Sequence, residues 1–296
     1  MFIEGTDKIP MKIIETGPAK INLGLDVLGM RPDRYHEVAM VMQGLELADR
    51  ITITDAPELK VTTDREGLEG DPSNLAWKAA ELMGRYARRT PRVHIHIEKK
   101  VFLAAGLAGG STDAAAVLRG LNRYWGMGLA ADRLERLGAQ IGSDVPFCVR
   151  GGTSLATGRG ELLEALPDLP ALPVVLAKPK VEVSTPWAYR EYDKQKNVRH
   201  PDIGAMAEAI RSGAVDKALA LLGNVLEPVT AKAHPEIAAI EKVMRGNGAL
   251  AAGMSGSGPT VFGITRTKEQ AEAIAALLVP LNLELAVTET AGRKEL

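Results

Sequence analysis

The segment Ala105-Gly-Leu-Ala-Gly-Gly-Ser-Thr-Asp113, running into Ala114-Ala-Ala-Val-Leu118, constrains the local fold more than any other stretch of this chain. Gly106, Gly109 and Gly110 let the backbone bend sharply and approach an anion closely. The exposed N–H groups of the helical turn that follows would then point at that anion. Ser111 and Thr112 add hydroxyl donors, and Asp113 has the chemistry to cap the helix or to stand near a metal. A plain tight turn before a helix is the alternative. No Gly-Lys-Ser/Thr ending follows the loop, so any lysine at an anion site must come from elsewhere in the chain.

The rest of the composition narrows the setting. With 36 Lys and Arg against 37 Asp and Glu in 296 residues, the net charge is -1, which offers no global attraction to a nucleic-acid polymer. Hydrophobic residues at 46% and charged residues at 25% suit a globular chain with room for two small domains. The single cysteine, Cys148, excludes an internal disulfide framework and lies in an apolar stretch, so it reads as a buried, inert thiol. No run of about 18 apolar residues and no secretory pattern is present, so the expected location is cytoplasmic, away from a membrane. Residues 1–10 read as an N-terminal extension, with disorder one reading of it.

Periodicity divides the chain into two mixed halves. Segments 12–15, 21–28, 38–47 and 51–55 read as strands with turn residues between them. Asp71-Pro-Ser-Asn74 introduces a helix with Leu75, Ala79, Leu82, Met83 and Tyr86 on one face. Val93, Ile95 and Ile97 alternate with His94 and His96 in a strand; without a third ligand nearby, the histidines read as a solvated face and not as a metal site. Helices follow over 111–124 and 132–141. The proline-bearing stretch Leu166-Pro-Asp-Leu-Pro-Ala-Leu-Pro173 marks a boundary between residues 11–168 and 169–296. Beyond it come a strand over 174–178, helices within 186–224 and 234–246, strands over 249–254 and 260–265, a helix over 268–281 and a strand over 283–288. That is the ferredoxin-like order with helices inserted after its first strand, and the fold class is α+β.

Three further segments are unusual. Pro18-Ala-Lys-Ile-Asn22 sets Lys20 and Asn22 on one face of a strand; Gly142-Ser-Asp-Val-Pro-Phe147 places Asp144 just past a helix end; Ala252-Gly-Met-Ser-Gly-Ser-Gly-Pro259 is a glycine–serine loop between strands. Each alone has a bland reading. Together with the glycine loop, and in this order, they resemble the GHMP kinase superfamily over about residues 12–265. The segments Arg31-Pro-Asp-Arg-Tyr-His36 and Met254-Ser-Gly-Ser-Gly-Pro-Thr-Val-Phe262 narrow the resemblance to its members that phosphorylate the 2-hydroxyl of a cytidine-diphosphate-linked alcohol in the non-mevalonate isoprenoid pathway.

The resemblance implies a two-domain GHMP kinase fold, with a mixed N-terminal ATP-binding domain and a ferredoxin-like C-terminal domain. It implies ATP as phosphoryl donor with Mg2+, a small-molecule substrate carrying a cytidine diphosphate group, and a monomer or homodimer. Asp144 would be the base for the alcohol proton, with Lys20 beside it and Asn22 orienting the same centre. Ala104, Ala105, Gly106, Leu107, Ala108, Gly109, Gly110, Ser111 and Thr112 would hold the phosphates, and Gly256 and Ser257 would close the site. His36 would bond the edge of the base while Tyr35 and Tyr189 sandwich its ring, with Trp187 an alternative to Tyr189. Ser111 and Asp113 are the candidates for contact with Mg2+.

The chain departs from the family pattern at four positions: Phe102 stands for a proline, Ala108 and Arg34 for glycines, and Thr112 for a serine. Another kinase of the superfamily and a non-catalytic nucleotide-binding module are the rival readings. An RNA-binding protein of similar topology is a weaker third, disfavoured by the charge balance.

Overall fold

The computed structural model describes residues 12–68 and 70–294; the extension read over residues 1–10 lies outside the described residues. Two strands of unusual length open the chain, β1 (Ile13–Met30) and β2 (His36–Asp55), paired antiparallel. The four short strands expected here are two long ones. Register shifts at Pro18/Lys20, Asn22/Gly24 and Val27/Gly29 absorb the irregular residues without ending the ladder. Asp49, which falls between two of the expected short strands, is buried within β2.

Beyond them lie β3 (Lys60–Thr63), α1 (Leu75–Ala87), β4 (Val93–Glu98), α2 (Gly109–Tyr124), α3 (Ala131–Gly138), α4 (Val145–Arg150), β5 (Thr153–Thr157) and β6 (Leu162–Ala165). Asn74 caps α1 by accepting from the Ala76 N–H at 2.9 Å. Tyr86, expected on one face of α1 with Leu75, Ala79, Leu82 and Met83, is 39% exposed beneath Arg133. His94 and His96 are half-buried and share the Thr62 hydroxyl, at 2.7 and 2.9 Å, so their face is not simply solvated. The strands β3, β5 and β6 and the six-residue α4 escape the periodicity reading because each spans too few residues to display a period.

The second half contains β7 (Pro173–Lys178), α5 (Thr185–Tyr192), α6 (Ile203–Arg211), α7 (Val215–Ala220), β8 (Gly223–Asn224), α8 (Glu227–Ala233) and α9 (Glu236–Gly246). It ends with β9 (Ala251–Met254), β10 (Val261–Ile264), α10 (Lys268–Leu278) and β11 (Glu284–Glu289). Pro280 ends α10 in a single 3-10 turn, Val279–Leu281, short of the continuous helix expected to residue 281. The four-stranded sheet has the order β11-β7-β10-β9, all antiparallel. This is the 4-1-3-2 arrangement of a ferredoxin-like unit.

The other sheet runs β3-β4-β2-β1-β8, with β5 and β6 added at β2. Its last strand, β8, belongs to the second half and pairs parallel with β1 at Gly24 and Leu25. Helix α2 packs on β1 and β2, and the second half closes over the same strands, which buries every residue of β1 from Ala19 to Val27. Lys20 and Asn22 are thereby carried into the interior at the junction of the halves. Among the described residues no helix is long and apolar enough to cross a membrane.

Candidate active site

The register shifts on either side of Lys20 and Asn22 turn this pair toward a cavity of about 980 Å³. The Lys20 Nζ donates to Asn22 Oδ1 at 2.7 Å and to the Gly106 carbonyl at 3.0 Å, and lies 3.7 Å from Asp144 Oδ2. The lysine side chain is 5% exposed and that of Asp144 33%, so the carboxylate faces the cavity while the ammonium stands behind it. Asp144 is the N-cap residue of α4, with Pro146 in the first turn where its missing N–H costs nothing.

The glycine loop forms the adjoining wall. Helix α2 begins after Ala108 without a side-chain cap, so the N–H groups of Gly109, Gly110 and Ser111 open on the cavity. Gly106, at φ 73, lies against a second loop: a Cβ there would stand 2.2 Å from the Ser255 carbonyl oxygen. A Cβ on Gly256 would come within 3.5 Å of Lys20 Nζ, Asn22 Oδ1 and the Gly106 carbonyl. Ser255 Oγ donates to the Gly106 carbonyl at 3.0 Å, and Ser257 Oγ lies 2.9 Å from Thr185 Oγ1. The two loops therefore meet at the lysine.

Of the residues expected around phosphate, Ala104, Ala105, Gly106, Ala108, Gly109, Gly110, Ser111, Gly256 and Ser257 line the cavity. Leu107 and Thr112 do not. The Leu107 side chain is in the core while its carbonyl accepts from the Lys20 N–H at 3.1 Å, and the Thr112 hydroxyl donates to the Pro18 carbonyl at 2.7 Å. Both brace the loop against β1.

Asp113 is neither a cap nor a cavity residue. It lies in the second turn of α2 beneath the loop, where Lys99 Nζ bonds its Oδ2 at 2.7 Å and also bonds Asp49 Oδ2; its Oδ1 is buried and has no hydrogen-bond partner among the described residues. Burial pushes the Asp113 carboxyl up to about 8; the Lys99 charge opposes that rise and Asp49 adds to it. Burial likewise pushes the Cys148 thiol up to about 12, with Asp144 adding to the effect, which keeps the thiol protonated and inert.

The far end of the cavity carries His36 and Tyr189, stacked with ring centroids 4.7 Å apart. Tyr189 is held well above the ordinary phenol range by burial and by Asp144. Tyr35 is 55% exposed on the rim, with the Arg159 guanidinium over its ring at 5.1 Å. Tyr189 thus has its face against His36, and no ring contact joins it to Tyr35 among the described residues. Trp187 is turned edge-on to His234 and does not line the cavity.

Sequence reasoning missed four neighbours. Met40 accepts from Asn22 Nδ2 at 3.3 Å, and Asp193 lies 2.9 Å from His36 Nε2. Asn224 Nδ2 donates to the carbonyls of Met254 and Gly256 at 2.9 and 2.7 Å. Arg159 is the fourth. It alone carried a local signal, a basic residue between Gly158 and Gly160.

Comparison with known proteins places this geometry in a lineage. The chain matches the GHMP kinases N terminal domain over residues 74–152 and the GHMP kinases C terminal domain over 195–278. It is 50% identical over 266 residues to the 4-diphosphocytidyl-2-C-methyl-D-erythritol kinase of Bacillus velezensis, an alignment covering 89% of this chain and 92% of that one. The enzyme of the same name from Bacillus subtilis is 49% identical over the same shares. A crystal structure of 4-(cytidine 5'-diphospho)-2C-methyl-D-erythritol kinase superposes with a TM-score of 0.80 at 31% identity, covering 95% of this chain and 100% of that one. A homoserine kinase from Cytophaga hutchinsonii shares the fold, with a TM-score of 0.77 at 18% identity over 100% and 98% of the two chains. With both kinase domains matched and relatives half identical over most of its length, the chain belongs to the GHMP kinase family, among the 4-diphosphocytidyl-2-C-methyl-D-erythritol kinases.

Proposed function

We propose that the chain transfers the γ-phosphoryl group of ATP to the 2-hydroxyl of 4-diphosphocytidyl-2-C-methyl-D-erythritol in the non-mevalonate isoprenoid pathway, with Asp144 as general base and Lys20 as its electrostatic partner. The observation that carries this assignment is the Lys20–Asp144 ion pair at 3.7 Å beside the uncapped first turn of α2. Phosphoryl transfer needs mainly positioning and charge compensation, plus one acceptor for the alcohol proton. The N–H groups of Gly109, Gly110 and Ser111, at a helix start with no side-chain cap, suit a phosphate, and the glycines at 106 and 256 leave room beside it.

Lys20 has two of its donors committed to Asn22 and Gly106, so the third remains for the carboxylate and the transferring group. Its positive charge beside Asp144 compensates charge developing on the phosphoryl oxygens. Asn22 and the Gly106 carbonyl hold the ammonium in place. His36 and Tyr189 form the wall for the cytidine end, with Tyr35 at its rim.

Mg2+ bound with ATP would neutralise phosphate charge. Of the two candidates for contact with it, Ser111 lines the cavity while Asp113 is turned away onto Lys99, which supports Ser111. We place the reaction in the cytoplasm, where ATP is supplied, in a monomer or homodimer.

ADP release measured with the cytidyl substrate, homoserine, mevalonate and galactose tests the substrate. Turnover is expected with the first alone, and turnover with another but not the first overturns the assignment. Asp144→Asn is expected to lower kcat by about 100-fold to 10,000-fold while ATP binds as before; an unchanged kcat removes Asp144 from the role of base.

A further inference from the structure

The wall around His36 contains a polar contact that the reaction chemistry does not require. His36 opens β2, and its side chain is 12% exposed with one face on Tyr189. Its Nε2 lies 2.9 Å from Oδ1 of Asp193, the residue that ends α5, and Asp193 is itself 42% exposed at the cavity wall. Among the described residues nothing bonds Nδ1.

An ionised carboxylate accepts hydrogen bonds and cannot donate them, so Nε2 must carry the proton in this contact. In a neutral imidazole the other nitrogen, Nδ1, is then a bare acceptor. The stack on Tyr189 holds the plane of the ring and the bond to Asp193 holds its edge. In its neutral form, His36 then presents one tautomer and one acceptor at a wall of the cavity.

We propose that Asp193 is a positioning residue that sets base specificity: it holds His36 as the Nε2–H tautomer, so that Nδ1 accepts from the 4-amino group of a cytosine and repels the 4-carbonyl of a uracil. The inference rests on the reading of the substrate as a cytidine diphosphate conjugate. Cytosine offers an exocyclic N–H donor at position 4, whereas uracil offers an oxygen whose lone pairs would face the lone pair of Nδ1. Sites that leave polar groups so mismatched reject the wrong ligand far more strongly than apolar pockets do. Asp193 would touch neither substrate nor ATP and would act only through the ring of His36.

The test compares kcat/KM for the cytidyl substrate and its uridyl analogue in the wild type, Asp193→Asn and Asp193→Ala. The wild type is expected to prefer the cytidyl compound by about 100-fold or more. An asparagine amide can donate to Nε2 and so favour the opposite tautomer. Asp193→Asn should therefore lower the preference at least about tenfold, losing on the cytidyl compound and gaining on the uridyl one, with Asp193→Ala in between. A purely structural role would slow both substrates alike, and an unchanged preference in both variants overturns the proposal.

Nitrogen-15 spectra of histidine-labelled protein read the tautomer without turnover. They should show His36 protonated at Nε2 in the wild type and at Nδ1 in Asp193→Asn; wild-type protonation at Nδ1 alone also overturns it. A wild type that phosphorylates neither compound removes the proposed activity and this inference together, whereas a working wild type with unaltered variants removes only the inference.

Discussion

Arg34 and Ala108 stand where the family pattern carries glycine, and both adopt left-handed backbone, at φ 66 and 61. A side chain costs about 1 kcal/mol in that region, because Cβ crowds the following carbonyl. Arg34→Gly and Ala108→Gly are each expected to stabilise the protein by about 0.5–1 kcal/mol, read as a melting temperature higher by about 2 °C. A lower melting temperature would mean that the lost side-chain contacts outweigh the relieved strain. The departures at 34 and 108 are visible in the chain, but their left-handed backbone is not. Lys20 and Asn22 differ in this respect: their spacing of two places them on one face of a strand, where they meet at 2.7 Å. Asp193 gave no such signal, since it lies 157 positions from His36 and meets it only through the docking of α5.

Helix α2 is held from below by Lys99, which bonds Asp113 on the helix and Asp49 on β2, while Asp49 Oδ1 also accepts from the Lys100 and Val101 N–H groups at 2.6 and 2.8 Å. With burial raising the Asp113 carboxyl to about 8, it holds its proton at neutral pH beneath the helix. A carboxyl raised in the folded state keeps its proton after the unfolded chain has lost it. Its contribution to stability is therefore present near pH 4 and is lost as pH rises toward 8. Asp113→Asn cannot ionise and escapes that loss. Its stability relative to wild type should rise between about pH 5 and 8, by up to about 1.4 kcal/mol per pH unit, checked by denaturant melts across that range; a constant difference would show that Asp113 stays ionised. The sequence marks α2 by its glycines and alanines, but the pattern gives no sign of what lies beneath. Short elements such as β8 and α4 escaped the reading for a related reason, since partners and not periodicity make them.

The two halves share their interior. Alternate residues of β7 enter different cores: Val175 and Ala177 join Met42 and Ile53 of β2, while Val174 and Leu176 join Ala19, Ile21 and Val41. Beyond β11, Thr290 bridges to Leu45 and Arg293 to Gly151, and Asp168 accepts from the Thr153 and Arg293 N–H groups at 3.2 and 2.8 Å. The division at residues 168/169 remains our proposal for where the halves meet. Calorimetry is expected to give one unfolding transition with calorimetric and van't Hoff enthalpies in agreement; two separate transitions would show that the halves are independent. By itself, the sequence determined the order of the major elements, the glycine loop ahead of α2 and the side of β1 that carries Lys20 and Asn22, because backbone periodicity and glycine geometry act over a few neighbouring residues. Only the tertiary structure decided that Lys20 stands 3.7 Å from Asp144, that Asp113 turns from the cavity onto Lys99, and that Asp193 bonds His36. Those outcomes depend on desolvation and on contacts between segments distant in the chain, and the last of them forms only where one half docks on the other.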